Sequence, residues 1–300
     1  MNKLIFFLGL LQLVILSLNA QETDISRLTG PYLGQTPPGK TPKIFAPGIV
    51  SSEEGNHSSP VFSPDGKEIY WATMTSGILY TKMKNDRWTS PAQPPFQKGK
   101  FQHCDSPFFS HDGSRLYFIA LISSDHSEKE VLYYMNRMKD SWSEPMAFDP
   151  VVNNGELHWQ FSFAENGNLY FTSERDDGLG RYDMYKSVYE KGKYLKPENL
   201  GALFNTQASD AMPFIAPDES LLVFASTGRK DCYGKSDLYV SFKRKDGSWT
   251  VPENLGPSVN TANHELCPVI SPDGKYLFFL KSHNVYWVDA RIIEELKAKE

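Results

Sequence analysis

The stretch "PENLGPSVNTANHELCPVISPDGKYLFFL", residues 252–280, holds one full copy of a motif that recurs along the chain. Its core, "PVISPDGKYLFFLK" from Pro268, returns as "PVFSPDGKEIYWAT" from Pro60, "PFFSHDGSRLYFIA" from Pro107, "FSFAENGNLYFTS" from Phe161 and "PFIAPDESLLVFAS" from Pro213. The Ser or Ala that opens each turn falls at 63, 110, 164, 216 and 271. Each copy is two apolar runs joined by Pro-Asp-Gly or a relative of it. Pro presets φ in such a turn and Gly accepts a positive φ, so each copy predicts a β-hairpin.

A third run follows in every unit, aligned on Tyr80, Tyr133, Tyr185, Tyr239 and Tyr286. A fourth comes after a polar turn in four of them, where Trp88, Trp142, Tyr194 and Trp249 each precede a proline by three residues. Four strands per unit and five units predict an all-β fold, a five-bladed β-propeller of four-stranded antiparallel blades. The fifth unit lacks its fourth strand. "PKIFAPGIV" from Pro42 overlays "PENLGPSVN" from Pro252, with Phe45 on Leu255, so the N-terminal strand is expected to complete the last blade and remove the exposed edges of an open array. The propeller then spans residues 42–290, residues 21–41 wrap its outside, and 291–300 form a short C-terminal helix.

The NLG, NT, S-P-D-G and L-Y-F pattern, with a Gly-rich loop before Asp-(Ile/Leu/Met)-Tyr and a G-S-W turn, resembles the WD40-like β-propeller repeat family. That family is related to the propeller of TolB and occurs in bacterial envelope proteins. The resemblance implies a propeller used as a binding or scaffolding module, with an envelope protein or a glycan as partner.

The first 20 residues, "MNKLIFFLGLLQLVILSLNA", have the layout of a signal peptide: one lysine, an apolar run too short to span a membrane, and a small residue before Gln21. They imply a periplasmic or secreted protein without a transmembrane anchor after cleavage. Net charge is −5 and the basic residues are scattered, which argues against a nucleic-acid partner. Three cysteines, Cys104, Cys232 and Cys267, allow at most one internal disulfide.

The Pro-Asp-Gly turns mark one face of the ring, and Asp65, Asp112, Asp218 and Asp273 read as turn formers. The starts of the innermost strands lie on the other face. Six residues before each turn-opening residue stand His57, Cys104, His158, Asp210 and Glu265, one per blade. Every one is a metal-ligating type. His103, Asp105, Trp159 and His264 lie next to them, and His126 is on a neighbouring loop. Three readings stay open for this column: side chains that fix the ring, polar groups lining an organic-ligand pocket, or a divalent metal in the central channel held by His57, His158, Asp210 and Glu265. Two Gly-rich loops on the same face, 173–183 and 226–237, carry Arg175, Arg229 and Lys230, a candidate cationic rim. Asp183 and Asp237 are read as caps of those loops.

The function expected is ligand or partner binding on this face, at His57, His103, Cys104, Asp105, His158, Asp210, His264, Glu265, Arg175 and Arg229. The alternative is a secreted carbohydrate-active enzyme, a glycoside hydrolase or lyase, with or without a metal. Asp105, Asp210 and Glu265 would then face one another across the channel as paired carboxylates. Cys104 beside His103 or His158 is the one thiol–imidazole pairing available for nucleophilic chemistry.

Overall fold

Each repeat places two apolar runs around a turn rich in hydrogen-bonding side chains, and each becomes the inner hairpin of a blade. The computed structural model describes residues 25–124, 127–153 and 156–297. The candidate signal peptide, His126 and the last three residues lie outside the described residues.

Blade I contains Val61–Phe62, Glu68–Thr73, Gly77–Lys84 and Arg87–Trp88; blade II contains His103–Phe109, Arg115–Ser124, Ser127–Asn136 and Met146–Ala147. Blade III is built from Glu156–Phe163, Leu169–Glu174, Asp183–Ser187 and Glu198–Asn199, and blade IV from Asp210–Ile215, Leu221–Ser226, Asp237–Phe242 and Glu253–Asn254. Blade V contains Glu265–Ile270, Tyr276–Lys281, Asn284–Asp289 and, as its outermost strand, Lys43–Ile44 from the N-terminal end. The expected five-bladed propeller and its closure by the N-terminal strand are therefore present. Ile44 pairs with Tyr286 as Asn254 pairs with Tyr239, which sets Phe45 at the position of Leu255. The C-terminal helix runs Arg291–Lys297. Among the described residues no helix is long and apolar enough to cross a membrane.

The chain before the closing strand does more than wrap the outside. Tyr32 sits edge-on to Phe62 of blade I and Tyr276 of blade V, and its hydroxyl donates to Asp273 at 2.7 Å. The indole of Trp88 donates to the Gly30 carbonyl at 2.9 Å. The segment is a wedge in the joint where the ring closes, and Leu33 and Phe45 are fully buried there with Trp71, Phe278 and Trp287. Removing an aromatic ring from such a site costs about 3–5 kcal/mol.

One device recurs in all five blades. A polar side chain in the loop after the outermost strand accepts a backbone N–H of the third strand, near its start in four blades and midway along it in blade II: Gln97 from Ile78 at 2.8 Å, Asn153 from Leu132 at 3.1 Å, Asn205 from Met184 at 2.9 Å, Asn260 from Leu238 at 2.8 Å and Ser51 from Val285 at 3.0 Å. Backbone groups that the sheet leaves unpaired are satisfied in this way. On the turn face Asp65, Asp112 and Asp273 accept from the Ser two residues earlier and from backbone N–H groups, and Asp218 accepts from the Ser220 N–H. All four are turn formers, as read from the sequence.

Candidate functional site

The innermost strands carry β-bulges just above the middle of the channel. In blades II, IV and V the inner strand advances three residues across the bulge while its partner advances two, as from Asp105↔Ile119 to Phe108↔Tyr117. In blade III it advances three against one, from His158↔Thr172 to Phe161↔Phe171. Blade I is wider in the same way, because the His57 N–H donates to Ala72 whereas Val61 pairs with Tyr70.

The extra residue corrects the column expected from the sequence. His57, Cys104, His158, Asp210 and Glu265 are not one ring. By register His57, Asp105, His158, Ala211 and Leu266 form one row, and Asn56, Cys104, Leu157, Asp210 and Glu265 form the row beside it. A bulge re-aims the residues that precede it, and a one-residue offset moves a strand residue to the other face.

The second row belongs to the architecture. Asp210 and Glu265 are fully buried. Asp210 accepts from the Thr206 N–H and hydroxyl, from Ser226 Oγ and from Arg229. Glu265 accepts from the Thr261 N–H and hydroxyl. Both carboxylates are spent on the loop that leads into their own strand, so the paired carboxylates expected across the channel are not formed. Among the described residues no three His, Cys, Asp or Glu side chains come together as metal ligands. The side chain of His158 lies outside the described part. Cys104 is enclosed by the apolar cluster of Phe118, Ala120 and Met135, and burial pushes its thiol up to about 12. A thiol so placed is not a nucleophile. All three cysteines are free.

His57, Asp105, Ala211 and Leu266 of the first row border a cavity of about 400 Å³ at the mouth of the channel. His57 and Asp105, from adjacent blades, form an ion pair through Nδ1 and Oδ2. The second Asp105 oxygen accepts the Ser106 N–H at 2.5 Å. The hydrogen bond and the charge of Asp105 raise the pKa of His57. Burial works to raise that of Asp105, but the bond and charge of His57 and the Ser106 N–H hold it below the usual carboxylate value. His103 lies 5.8 Å from His57 ring to ring, and burial lowers its pKa. These two histidines, Asp105 and Glu130 line an adjoining recess of about 240 Å³.

Opposite them the cavity wall is apolar and aromatic. The rings of Trp159 and Tyr182 are 4.3 Å apart between centroids. Ala211, Met212 and Leu266 continue the wall, and His264 and His283 stand at its margin. Ser106, Trp159, Met212 and Cys267, one from each of blades II to V, have positive φ at the bulges and all border the cavity. Below them the channel narrows among Phe108, Phe161, Phe214 and Val269, which separates this cavity from one of about 450 Å³ on the turn face.

Of the expected cationic rim, neither Arg175 nor Arg229 lines the cavity. Arg229 is tied to Asp210 and Ser226 and its guanidinium lies 5.3 Å from the Phe224 ring centre. Arg175 is held the same way against Phe171 and Tyr185, with Nε on Ser173. Leu157 occupies the register position of Asp210 there, and Arg175 Nη2 is buried with no hydrogen-bond partner. Asp183 and Asp237 cap their loops, accepting from Leu179 and Gly180 and from Tyr233 and Gly234.

Of the residues singled out from the sequence, the structure brings His57, Asp105, Trp159 and His264 to one cavity and His103 to its side recess. Tyr182, Met212 and His283 were not foreseen there. Tyr182 precedes the capping Asp183 as Ser236 precedes Asp237, and both border the cavity, so the residue before each cap was the available signal.

No family model matches the chain, and no curated protein matches it either. Many solved structures do. The WD40 repeats of RRP9 align at 10% identity over 85% of this chain and 99% of that one, with a TM-score of 0.48. An endo-arabinase from Bacteroides thetaiotaomicron aligns at 16% over 80% and 94%, with a TM-score of 0.48. A gluconolactonase from Xanthomonas campestris aligns at 10% over 87% and 98%, with a TM-score of 0.47. None of these scores reaches 0.5, and the assignment as a five-bladed propeller rests on the strand pairing itself.

Proposed function

We propose that the protein is an exported β-propeller of the bacterial cell envelope that binds a small saccharide, free or as part of a glycan, in the cavity at the channel mouth. One observation carries the reading: an aromatic and aliphatic wall, Trp159 and Tyr182 foremost, borders the same cavity of about 400 Å³ as a part-exposed imidazole, His57, oriented by the buried carboxylate of Asp105. Ligand cavities of this size are mostly apolar with a few fixed polar groups. Aromatic faces cover the C–H surfaces of a sugar ring while imidazole and hydroxyl groups take its OH groups. Export and the envelope setting are supported by the leader-like first 20 residues and by the resemblance of the repeats.

The test is calorimetry of residues 21–300 against a panel of neutral and acidic mono- and oligosaccharides. Binding by the wild type that weakens at least tenfold in Trp159→Ala and Tyr182→Ala is the expected result. Absence of binding across the panel, with a protein recovered by crosslinking in the envelope, would replace the saccharide by a protein partner. A second reading, an enzyme using the same cavity, is favoured by the His57–Asp105 pair.

A further inference from the structure

We infer that His57 and Asp105 form a general-base dyad that hydrolyses a carboxylic ester on the bound saccharide. The inference rests on the saccharide-binding reading and adds turnover to it. His57 meets the geometric requirements of such a base. Its Nδ1 is engaged by a carboxylate that is itself fixed by the Ser106 N–H. This leaves Nε2 as the ring's other proton site, and the ring borders the cavity. A carboxylate on one imidazole nitrogen sets the tautomer and stabilises the imidazolium that forms when the other takes a proton.

The target of that proton transfer follows from what surrounds the ring. Among the described residues Asp105 is the one hydrogen-bond partner of the His57 ring. The thiol bordering the same cavity, Cys267, is buried and its pKa is raised by that burial, so it is no nucleophile. The base therefore acts on water. The wall of Trp159, Ala211, Met212 and Leu266 suits an uncharged acyl group.

In the reaction His57 Nε2 takes a proton from water as its oxygen adds to the ester carbonyl carbon. The tetrahedral intermediate collapses with cleavage of the acyl C–O bond, and the imidazolium returns the proton to the departing alkoxide. Ester and water become carboxylic acid and alcohol. Asp105 is a positioning residue, acting through His57.

The experiment measures hydrolysis of 4-nitrophenyl acetate and of a peracetylated methyl glycoside by residues 21–300, with pH–rate profiles. His57→Ala and His57→Gln should each lose about 100-fold or more, and added imidazole should restore part of the His57→Ala rate. Asp105→Asn should lose less and move the pH–rate inflection to lower pH, since it removes what raises the pKa of His57. Wild-type rates on both probes no higher than those of His57→Ala would overturn the dyad. Wild-type binding in the saccharide calorimetry separates the two ideas: a wild type that binds saccharide but hydrolyses neither probe faster than His57→Ala loses only the hydrolysis, and a wild type that binds none loses the cavity reading as well.

Discussion

Blades IV and V keep the repeat, and blades I and II break it at the channel mouth. In IV and V the acid at the start of the inner strand, Asp210 or Glu265, accepts from the Thr of its own loop, and the next residue inward is Ala211 or Leu266. In I and II the acid's position holds Asn56 and Cys104, and the next residue inward is His57 or Asp105. Where the motif is intact, its polar side chains are consumed in holding loops. Where it lapses, an acid and a base meet across two blades with a cavity in front of them. The departures from the repeat, rather than its shared residues, mark the chemistry.

The largest effect expected from breaking this contrast is on the intact side. Asp210→Ala takes the carboxylate from the part-buried Arg229 and the acceptor from Thr206 and Ser226, and should cost about 3 kcal/mol in denaturant unfolding. A Cβ added to Gly180 would lie 1.8 Å from the Ala208 carbonyl oxygen, and one on Gly234 lies 2.1 Å from that of Thr261. Either Gly→Ala change should cost about 3 kcal/mol, because the next blade's backbone must move.

Glu219 ties blades III and IV on the turn face by accepting from Asn168, Tyr170, Lys186 and Lys243. Burial acts to raise its pKa, but these donors bring it to about 2. Its contribution is complete above its ordinary value of 4.5 and is lost as pH falls through about 2. Glu219→Gln should therefore cost about 1–3 kcal/mol at neutral pH and flatten the acid limb of the stability curve. The smallest effect belongs to Arg175→Leu. The buried Nη2 it removes has no partner, so the change should cost about 1 kcal/mol or less, against a much larger loss for Arg229→Leu.

Much of this molecule was legible in its sequence because the signals are local. Pro-Asp-Gly turns and the aligned tyrosines specify hairpins within a few residues, and the overlay of Phe45 on Leu255 located the closing strand. The site was legible only in part. Counting from the turns assumes a constant bulge, and the bulges of blades I and III hold one residue more, so His57 and His158 slipped out of the row of Asp210 and Glu265. The inward course of Arg175 and Arg229 depends on aromatic rings from two strands. The wedge at Tyr32 depends on contacts with residues more than 200 positions away.

The pairing of His57 with Asp105 is the centre of the account, and a ¹⁵N NMR titration of the histidine side chains tests it most directly. Asp105 raises the pKa of His57 while burial lowers that of His103. The pair's stabilisation is therefore lost as pH rises through the raised value of His57 and as it falls through the lowered value of Asp105. His57 should titrate above pH 6.5 and above His103, and Asp105→Asn should bring His57 down. A His57 that titrates with or below His103, unmoved by Asp105→Asn, would contradict it.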